Sequence, residues 1–489
     1  MAKGAMRSSA HPSRTRVARA LSAGVMTLLM SACNLAPPLK VPEVPSGDAY
    51  KEMGQWTQAQ PADRLPRDSW WDLYQTPEID DLEKRLIVGN PTLAAALANY
   101  AQARALSDQA RAGLFPTLNG NAGVSRARES VNAPLISNAT PRYYDDNTAG
   151  GSISYEVDLW GQIRNQVTAG KANAEAAGAD LENARLSLLA QLVDDYVQLR
   201  SLDREAVILD DTVKAYDKAE VITRQRHDAG IAPGLDVAQA DTQLNAARST
   251  ASQIQAQRAI MEHAIAALLG LSASTFTIAP AVVDVKLPAI PTGVPTTLLE
   301  RRPDISGAQR RMIAANANIG VAKAAYFPSL TLGAQGGYQS TAFSNWLTMP
   351  STFWAVGPNA VLNLFDGGLR RAQVAQARAE FDQSAADYRS TVVAAFQQVE
   401  DSLASLNHYS DAAQQEKAAV DAAQRSLDFS MVLYKQGAED YLNVVTSQTA
   451  LLQAQLQALN LDTLQLQASV DLVRALGGGW EDAKMVAAR

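Results

Sequence analysis

Residues 161–228 read GQIRNQVTAGKANAEAAGADLENARLSLLAQLVDDYVQLRSLDREAVILDDTVKAYDKAEVITRQRHD, without one proline. Ala172, Ala174, Ala176, Ala177 and Ala179 crowd its first third, and Gly230 and Pro233 close it. From Leu181 an apolar three-and-four spacing runs through Leu188, Leu192, Leu199, Leu202, Ala206, Leu209, Val213 and Tyr216, interrupted only at Arg185 and Asp195. That is a heptad seam. As a helix rising 1.5 Å per residue the stretch would extend roughly 100 Å, more than a globular core needs.

The stretch occurs twice. A second such segment follows Asp366-Gly367-Gly368 and ends at Gly437, and the surrounding landmarks recur in order. Leu114-Phe115-Pro116-Thr117-Leu118 returns as Tyr326-Phe327-Pro328-Ser329-Leu330, and Asp158-Leu159-Trp160-Gly161 as Asn363-Leu364-Phe365-Asp366. Phe327 follows Phe115 by 212 residues, Phe365 follows Trp160 by 205 and Gly437 follows Gly230 by 207. Offsets this steady mark an internal duplication. The expected organisation is a leader over 1–32, a tether over 33–69, a first repeat over 70–270, a proline-rich connector over 271–303, a second repeat over 304–476 and a tail over 477–489.

Before each long helix the hydrophobic period changes from helical to two. Ile153, Tyr155, Val157 and Leu159 alternate with Ser152, Ser154, Glu156 and Asp158, after a first strand over 118–125 and a polar, turn-rich loop over 129–147. The second repeat sets Leu330, Leu332, Ala334 and Tyr338 against Thr331, Gln335 and Gln339, then returns with Trp354, Val356, Ala360, Leu362 and Leu364. Each repeat therefore carries a β-hairpin, about 117–160 and about 329–365. A soluble two-sided sheet satisfies this alternation; so does a membrane sheet, whose strands need about 9–11 residues. Aromatics at the strand ends and loops, including Tyr143, Trp160, Phe327, Trp346 and Trp354, suit water–lipid boundaries. In a membrane the sheet must close on itself, and four strands are too few, so subunits would have to combine.

Composition narrows the setting. Arg14, Arg16 and Arg19 precede the apolar run Ala20 to Met30 and then Ser31-Ala32-Cys33, the layout of an export signal. Cys33 is the only cysteine, which excludes an internal disulfide. Leu29-Met30-Ser31-Ala32-Cys33 resembles a bacterial lipobox, in which the thiol receives diacylglycerol; a tether rich in proline (Pro37, Pro38, Pro42, Pro45) follows. Loss of residues 1–32 removes five basic residues and no acids, taking the net charge from −7 to −12, so nucleic acid is not a partner. No mature segment is apolar enough for a membrane helix. His227, His263 and His408 have no second ligand one turn away, so no metal site is expected, nor any cofactor beyond the lipid on Cys33. Asp194-Asp195 reads as a solvated pair, and no phosphate loop or nucleophile elbow is present, so no catalytic residue is assigned and the chain does not read as an enzyme.

Leu298-Leu299-Glu300-Arg301-Arg302-Pro303-Asp304-Ile305, running on through Ala314-Ala315-Asn316-Ala317-Asn318-Ile319-Gly320 to Tyr326-Phe327-Pro328-Ser329-Leu330, resembles the signature of TolC-type outer-membrane factors. The branch most similar is the lipoprotein channels that serve resistance-nodulation-division pumps, and Trp70-Trp71-Asp72-Leu73 and Cys33 fit it. Gln309 stands where that pattern has a glutamate. The resemblance implies an α+β membrane protein: a homotrimer with four strands per subunit in a twelve-stranded outer-membrane barrel, continued by a long α-helical periplasmic barrel with a mixed equatorial domain. It implies a passive exit duct for drugs or other small molecules, served by a periplasmic adaptor protein and an inner-membrane transporter. A type I secretion duct shares the fold, and a lipid-anchored, periplasm-spanning protein without a pore is the rival of another class. By position the adaptor-docking tips fall at 226–236 and 435–443, with Gly230, Pro233, Asp236, Gly437 and Asp440. Family members close at the tip with an acidic ring. The matching position here is Thr446, leaving Glu439, Asp440 or Asp236 to supply the charge.

Overall fold

The computed structural model describes residues 34–44, 50–52, 70–130, 132, 142–288, 290 and 302–478. Cys33, the leader and the C-terminal tail beyond 478 lie outside the described residues, as do 289, 291–301 and most of the tether. The first repeat lays down helices α1 (Pro77–Gly89) and α2 (Pro91–Ala112), strands β1 (Thr117–Arg128) and β2 (Tyr143–Glu156), and helices α3 (Gln162–Asp228) and α4 (Gly234–Leu268). The second gives α5 (Pro303–Ala324), β3 (Ser329–Ser340), β4 (Thr352–Val361), α6 (Leu369–Gln436) and α7 (Tyr441–Ala475). The quoted stretch is one helix of 67 residues, and its copy one of 68.

The described residues form two compact units. One, within Met1–Val41, Gln102–Ala174 and Arg310–Ala385, holds a four-stranded antiparallel sheet ordered β1-β2-β3-β4. Its register builds the two faces row by row. Leu118, Ile153, Ala334 and Val356 stand opposite one another across all four strands, an apolar row, while the next row is Asn119, Ser152, Gln335 and Ala355. Strand β2 starts at Tyr143, earlier than the alternation predicts, because Asp145, Asp146 and Asn147 pair with Arg126, Ser125 and Val124 instead of forming a loop. The two outer strands pair on one side only, so each presents an unpaired backbone edge.

Each hairpin hands over to its long helix by the same device. The Asp158 carboxylate accepts the amides of Ile163 and Arg164 and bonds Arg164 Nε at 3.0 Å; Asp366 accepts the amides of Gly368 and Arg370 and bonds Arg370 Nε at 2.5 Å. These carboxylates satisfy orphan donors at the helix start, where the helix dipole also favours negative charge. Trp160 stacks on Phe327 at 4.6 Å and donates from Nε1 to the Pro328 carbonyl, tying the first hairpin's exit to the second hairpin's entry. Ala169 and Ala172 on α3 pack on Ala314 and Ala317 of α5, the close approach that short side chains permit.

The other unit, within Pro42–Ala101, Glu175–Gln309 and Ala386–Arg489, contains the main apolar core. Trp70, Trp71 and Tyr74, on a short 3-10 turn, are buried in it with Leu192, Tyr196, Leu199, Val399, Leu403 and Val473. Tyr74 shares a 2.8 Å hydrogen bond with Ser469. A charge network, buried except at the half-exposed Glu78, packs beside the connector: Arg200 bonds Asp203 at 2.8 Å and Glu78 at 2.6 Å, Arg258 bonds Asp203 at 2.7 Å and Glu262 at 2.5 Å, and both arginines also donate to connector carbonyls.

The duplication explains the most distinctive stretch of sequence. Asn90, just before α2, donates from Nδ2 to the carbonyl of Leu268 at the end of α4. Arg302, just before α5, donates from Nη1 to the carbonyl of Ala475 at the end of α7, and its fork is held by Asp304. Ala475 lies 207 residues beyond Leu268. The Arg-Pro-Asp part of the motif is therefore a clamp on an otherwise unpaired helix terminus.

One expectation is corrected. Asp194 is not a solvated acid: burial, reinforced by the charge of Asp471, pushes its carboxyl up to about 8, and its Oδ1 is buried without a hydrogen-bond partner. The described parts of the tether are tied to the helices by hydrogen bonds. Asn316 Nδ2 donates to the Pro37 carbonyl, and the amides of Lys51 and Glu52 donate to Glu400.

Candidate functional site at the helical tips

Helices α3 and α6 end in the same motif, 207 residues apart. Gly230 sits at φ +70° and Gly437 at φ +74°. The amide of Gly230 reaches the His227 carbonyl and that of Ile231 the Arg226 carbonyl; likewise Gly437 reaches Tyr434 and Ala438 reaches Leu433. This pairing caps the last carbonyls of a helix and needs a left-handed residue, which glycine adopts without a Cβ clash. After each turn an extended residue, Pro233 or Asp440, opens the next helix.

Beneath the two turns lies a small core of Ala240, Tyr434, Tyr441 and Val444, with Leu427, Met431 and Val445 packed on it. The rings of Tyr434 and Tyr441 are 5.1 Å apart at 58°. Burial pushes the Tyr441 hydroxyl up to about 12. Arg226, in the last turn of α3, places its guanidinium 4.8 Å from the Tyr434 ring centre and donates from Nη1 to the Lys435 carbonyl at 3.0 Å. Arg226 thus links the two helical-hairpin tips through a cation–π contact and a charge-assisted hydrogen bond, beside the shared core.

Burial raises the Asp236 carboxyl above the usual aspartate range and Asp440 adds to the rise, while the Tyr434 hydroxyl and Arg226 draw it back. Tyr434 Oη lies 3.4 Å from Thr223 Oγ1 and 3.5 Å from Asp236 Oδ2, at the limit of hydrogen bonding. Glu439 is half-buried and Asp440 exposed. Thr446 is exposed and its hydroxyl donates back to the Leu442 carbonyl of its own helix. Ile231, Leu235 and Leu442 stay exposed on the turns.

Sequence reasoning misses the two residues that organise the site. Arg226 appears there only as the boundary of a tip, and Tyr434 not at all. The available signal was the tyrosine pair flanking Gly437 at a spacing of seven. His227 Nδ1 lies 2.9 Å from the Ala232 carbonyl, and among the described residues no group of three His, Cys, Asp or Glu could hold a metal ion.

The profile of the family described as outer membrane efflux protein matches residues 82–271 and 294–478. The probable efflux pump outer membrane protein TtgC of Pseudomonas putida is 30% identical over 465 residues, covering 94% of this chain and 95% of its own. The pyoverdine export outer membrane protein OpmQ of Pseudomonas aeruginosa is 31% identical over 467 residues, covering 94% and 97%. Among solved structures, the outer-membrane channel OprN superposes with a TM-score of 0.86 at 28% identity, covering 92% of this chain and 100% of that one. The Campylobacter jejuni CmeC outer membrane channel gives 0.87 at 24% identity, covering 93% and 98%, a likeness of fold.

Proposed function

The chain belongs to the outer membrane efflux protein family, and from that membership we propose that its tip cluster is the gate of an exit duct. The duct itself follows from the family: the chain is the outer-membrane component of a tripartite efflux system, a homotrimer working with a periplasmic adaptor and an inner-membrane transporter. The family is one of ducts, not enzymes; that this chain has no catalytic activity of its own is part of the reading.

The observation that carries the reading is the unclosed sheet. Strands of 12, 14, 12 and 10 residues are long enough to cross a bilayer, and no barrel edge can face lipid. Two unpaired edges per subunit are what three subunits need to close twelve strands, as the family fold has it. In this reading the row through Leu118, Ile153, Ala334 and Val356 faces lipid and the row through Asn119, Ser152 and Gln335 faces the lumen.

At the tip, Arg226 holds the second hairpin against the first and keeps the duct narrow, and the acids Asp236 and Asp440 set the charge at the opening. Glu439 adds to that charge, and Thr446 does not. The exposed Ile231, Leu235 and Leu442 supply apolar surface for the adaptor. A covalent lipid on Cys33 anchors the subunit, a reading supported by the export signal and lipobox. The cargo is small organic molecules: one relative's name carries an efflux pump and another's pyoverdine export.

Cells lacking this chain but retaining its adaptor and transporter test the reading. Reintroducing the chain should lower the accumulation of a fluorescent pump substrate, and unchanged accumulation would rule the duct out. Introducing Arg226→Ala should admit a large antibiotic normally excluded by the outer membrane, and unchanged exclusion would rule out the gate alone.

A further inference from the structure

We propose that residues 50–52 are a docked strap that clasps the second repeat, with Glu400 as its receptor. Glu400 Oε1 accepts the Lys51 amide at 2.8 Å and Oε2 accepts the Glu52 amide at 2.9 Å. Asn407 Nδ2 donates to the Glu52 carbonyl at 2.8 Å. The Tyr50 ring is buried in the main core beside these contacts. One carboxylate on α6 thus takes two consecutive backbone amides, and one amide side chain a turn or two onward takes the carbonyl.

The first repeat does the same to the connector. Arg200 Nη1 donates to the Ala279 carbonyl at 2.9 Å and Arg258 Nη2 to the Ile278 carbonyl at 2.6 Å. Asp203 accepts the Ala281 amide and Glu262 the Ile278 amide, and Phe276 is buried in the same core as Tyr50. Asn407 lies 207 residues after Arg200, the offset of the duplication, so equivalent positions on α3 and α6 each catch a carbonyl of a non-helical segment. The connector leads into the second repeat and is held by the first; the strap leads into the first repeat and is held by the second. The clasp is reciprocal.

Glu400 itself points to a dedicated receptor. Its counterpart one repeat earlier is Val193, a fully buried core residue. The duplicated fold does not require a carboxylate at that position, and the two amides of the strap explain why the second repeat has one: a charged acceptor strengthens hydrogen bonds from backbone amides.

Amide hydrogen exchange on the full-length assembled oligomer tests the proposal. In the wild type, peptides covering Lys51 and Glu52 should be protected, and Glu400→Ala should speed their exchange by about tenfold or more. Asn407→Ala should give a smaller acceleration, and Asp401→Asn, the exposed neighbour, none. Exchange at the unstructured rate in the wild type, or unchanged protection in Glu400→Ala, overturns the clasp. Should Glu400→Ala fail to assemble, Glu400→Gln keeps one acceptor oxygen, and tryptic cleavage after Lys51, whose side chain is exposed, reads the same contact. Cleavage should be slow in the wild type and faster in Glu400→Gln and Asn407→Ala; equal rates in all three overturn the proposal.

Discussion

The Arg226 guanidinium stands 4.8 Å from the centre of the Tyr434 ring and bonds the Lys435 carbonyl at 3.0 Å, so the last turn of α3 holds the last turn of α6. A cation–π contact contributes about 0.5–2 kcal/mol and a charged hydrogen bond about 1.5–3 kcal/mol. Arg226→Ala should therefore release the second tip at a cost of roughly 2 kcal/mol. Arg226→Lys keeps the charge but not the planar fork, and should fall between the two. Antibiotic entry in whole cells reads the series.

Tyr434 contributes mainly through its ring, because its hydroxyl reaches Thr223 and Asp236 only at 3.4 and 3.5 Å, the long limit of hydrogen bonding. Tyr434→Phe should change tip stability by less than about 0.5 kcal/mol, whereas Tyr434→Ala leaves a cavity costing about 3–5 kcal/mol. Amide exchange in the tip helices separates the two.

Asp203 neutralises two buried arginines, Arg200 and Arg258. Asp203→Asn leaves Arg200 only the half-exposed Glu78 and Arg258 only Glu262 as counter-charges, and breaking a buried pair from one side costs up to about 3–5 kcal/mol. The prediction is a large loss in thermal unfolding temperature, with the connector's amides the first to exchange.

Glu83 is fully buried, and neither carboxylate oxygen has a hydrogen-bond partner among the described residues. Burial pushes its carboxyl up to about 9, Arg185 pulling the other way and Asp80 adding to the rise. The folded protein therefore holds this proton more tightly than the unfolded chain, whose value is 4.5. The sign follows: stability is highest below the unfolded value and falls as pH rises from about 4.5 towards about 9. Glu83→Gln should flatten that decline and raise the unfolding temperature at pH 8, with no effect at pH 4.

The large features were legible because they are local and repeated. A proline-free heptad run, its copy, and glycines spaced 207 apart located both long helices and both tips. What was not legible depends on partners distant in sequence. Asp145 and Asp146 have loop composition, and only pairing with β1 makes them strand. Asp194 is an acid beside the seam that reads as solvated, and only packing near Asp471 on α7 buries it. A proline-rich segment has no period, so nothing local shows that Lys51 and Glu52 are caught by Glu400, some 350 residues on. Arg226 on an amphipathic helix is indistinguishable from a solvated cation until Tyr434 is placed beneath it.

Single-channel recording in planar bilayers tests the central claim most directly. The purified wild-type oligomer should insert and give small, discrete conductance steps, and Arg226→Ala should give larger ones, with Asp440→Ala altering step size through the charge it removes beside Asp236. An oligomer that never conducts, in wild-type or Arg226→Ala form, would contradict the account of this chain as one third of an outer-membrane duct closed at its helical tips.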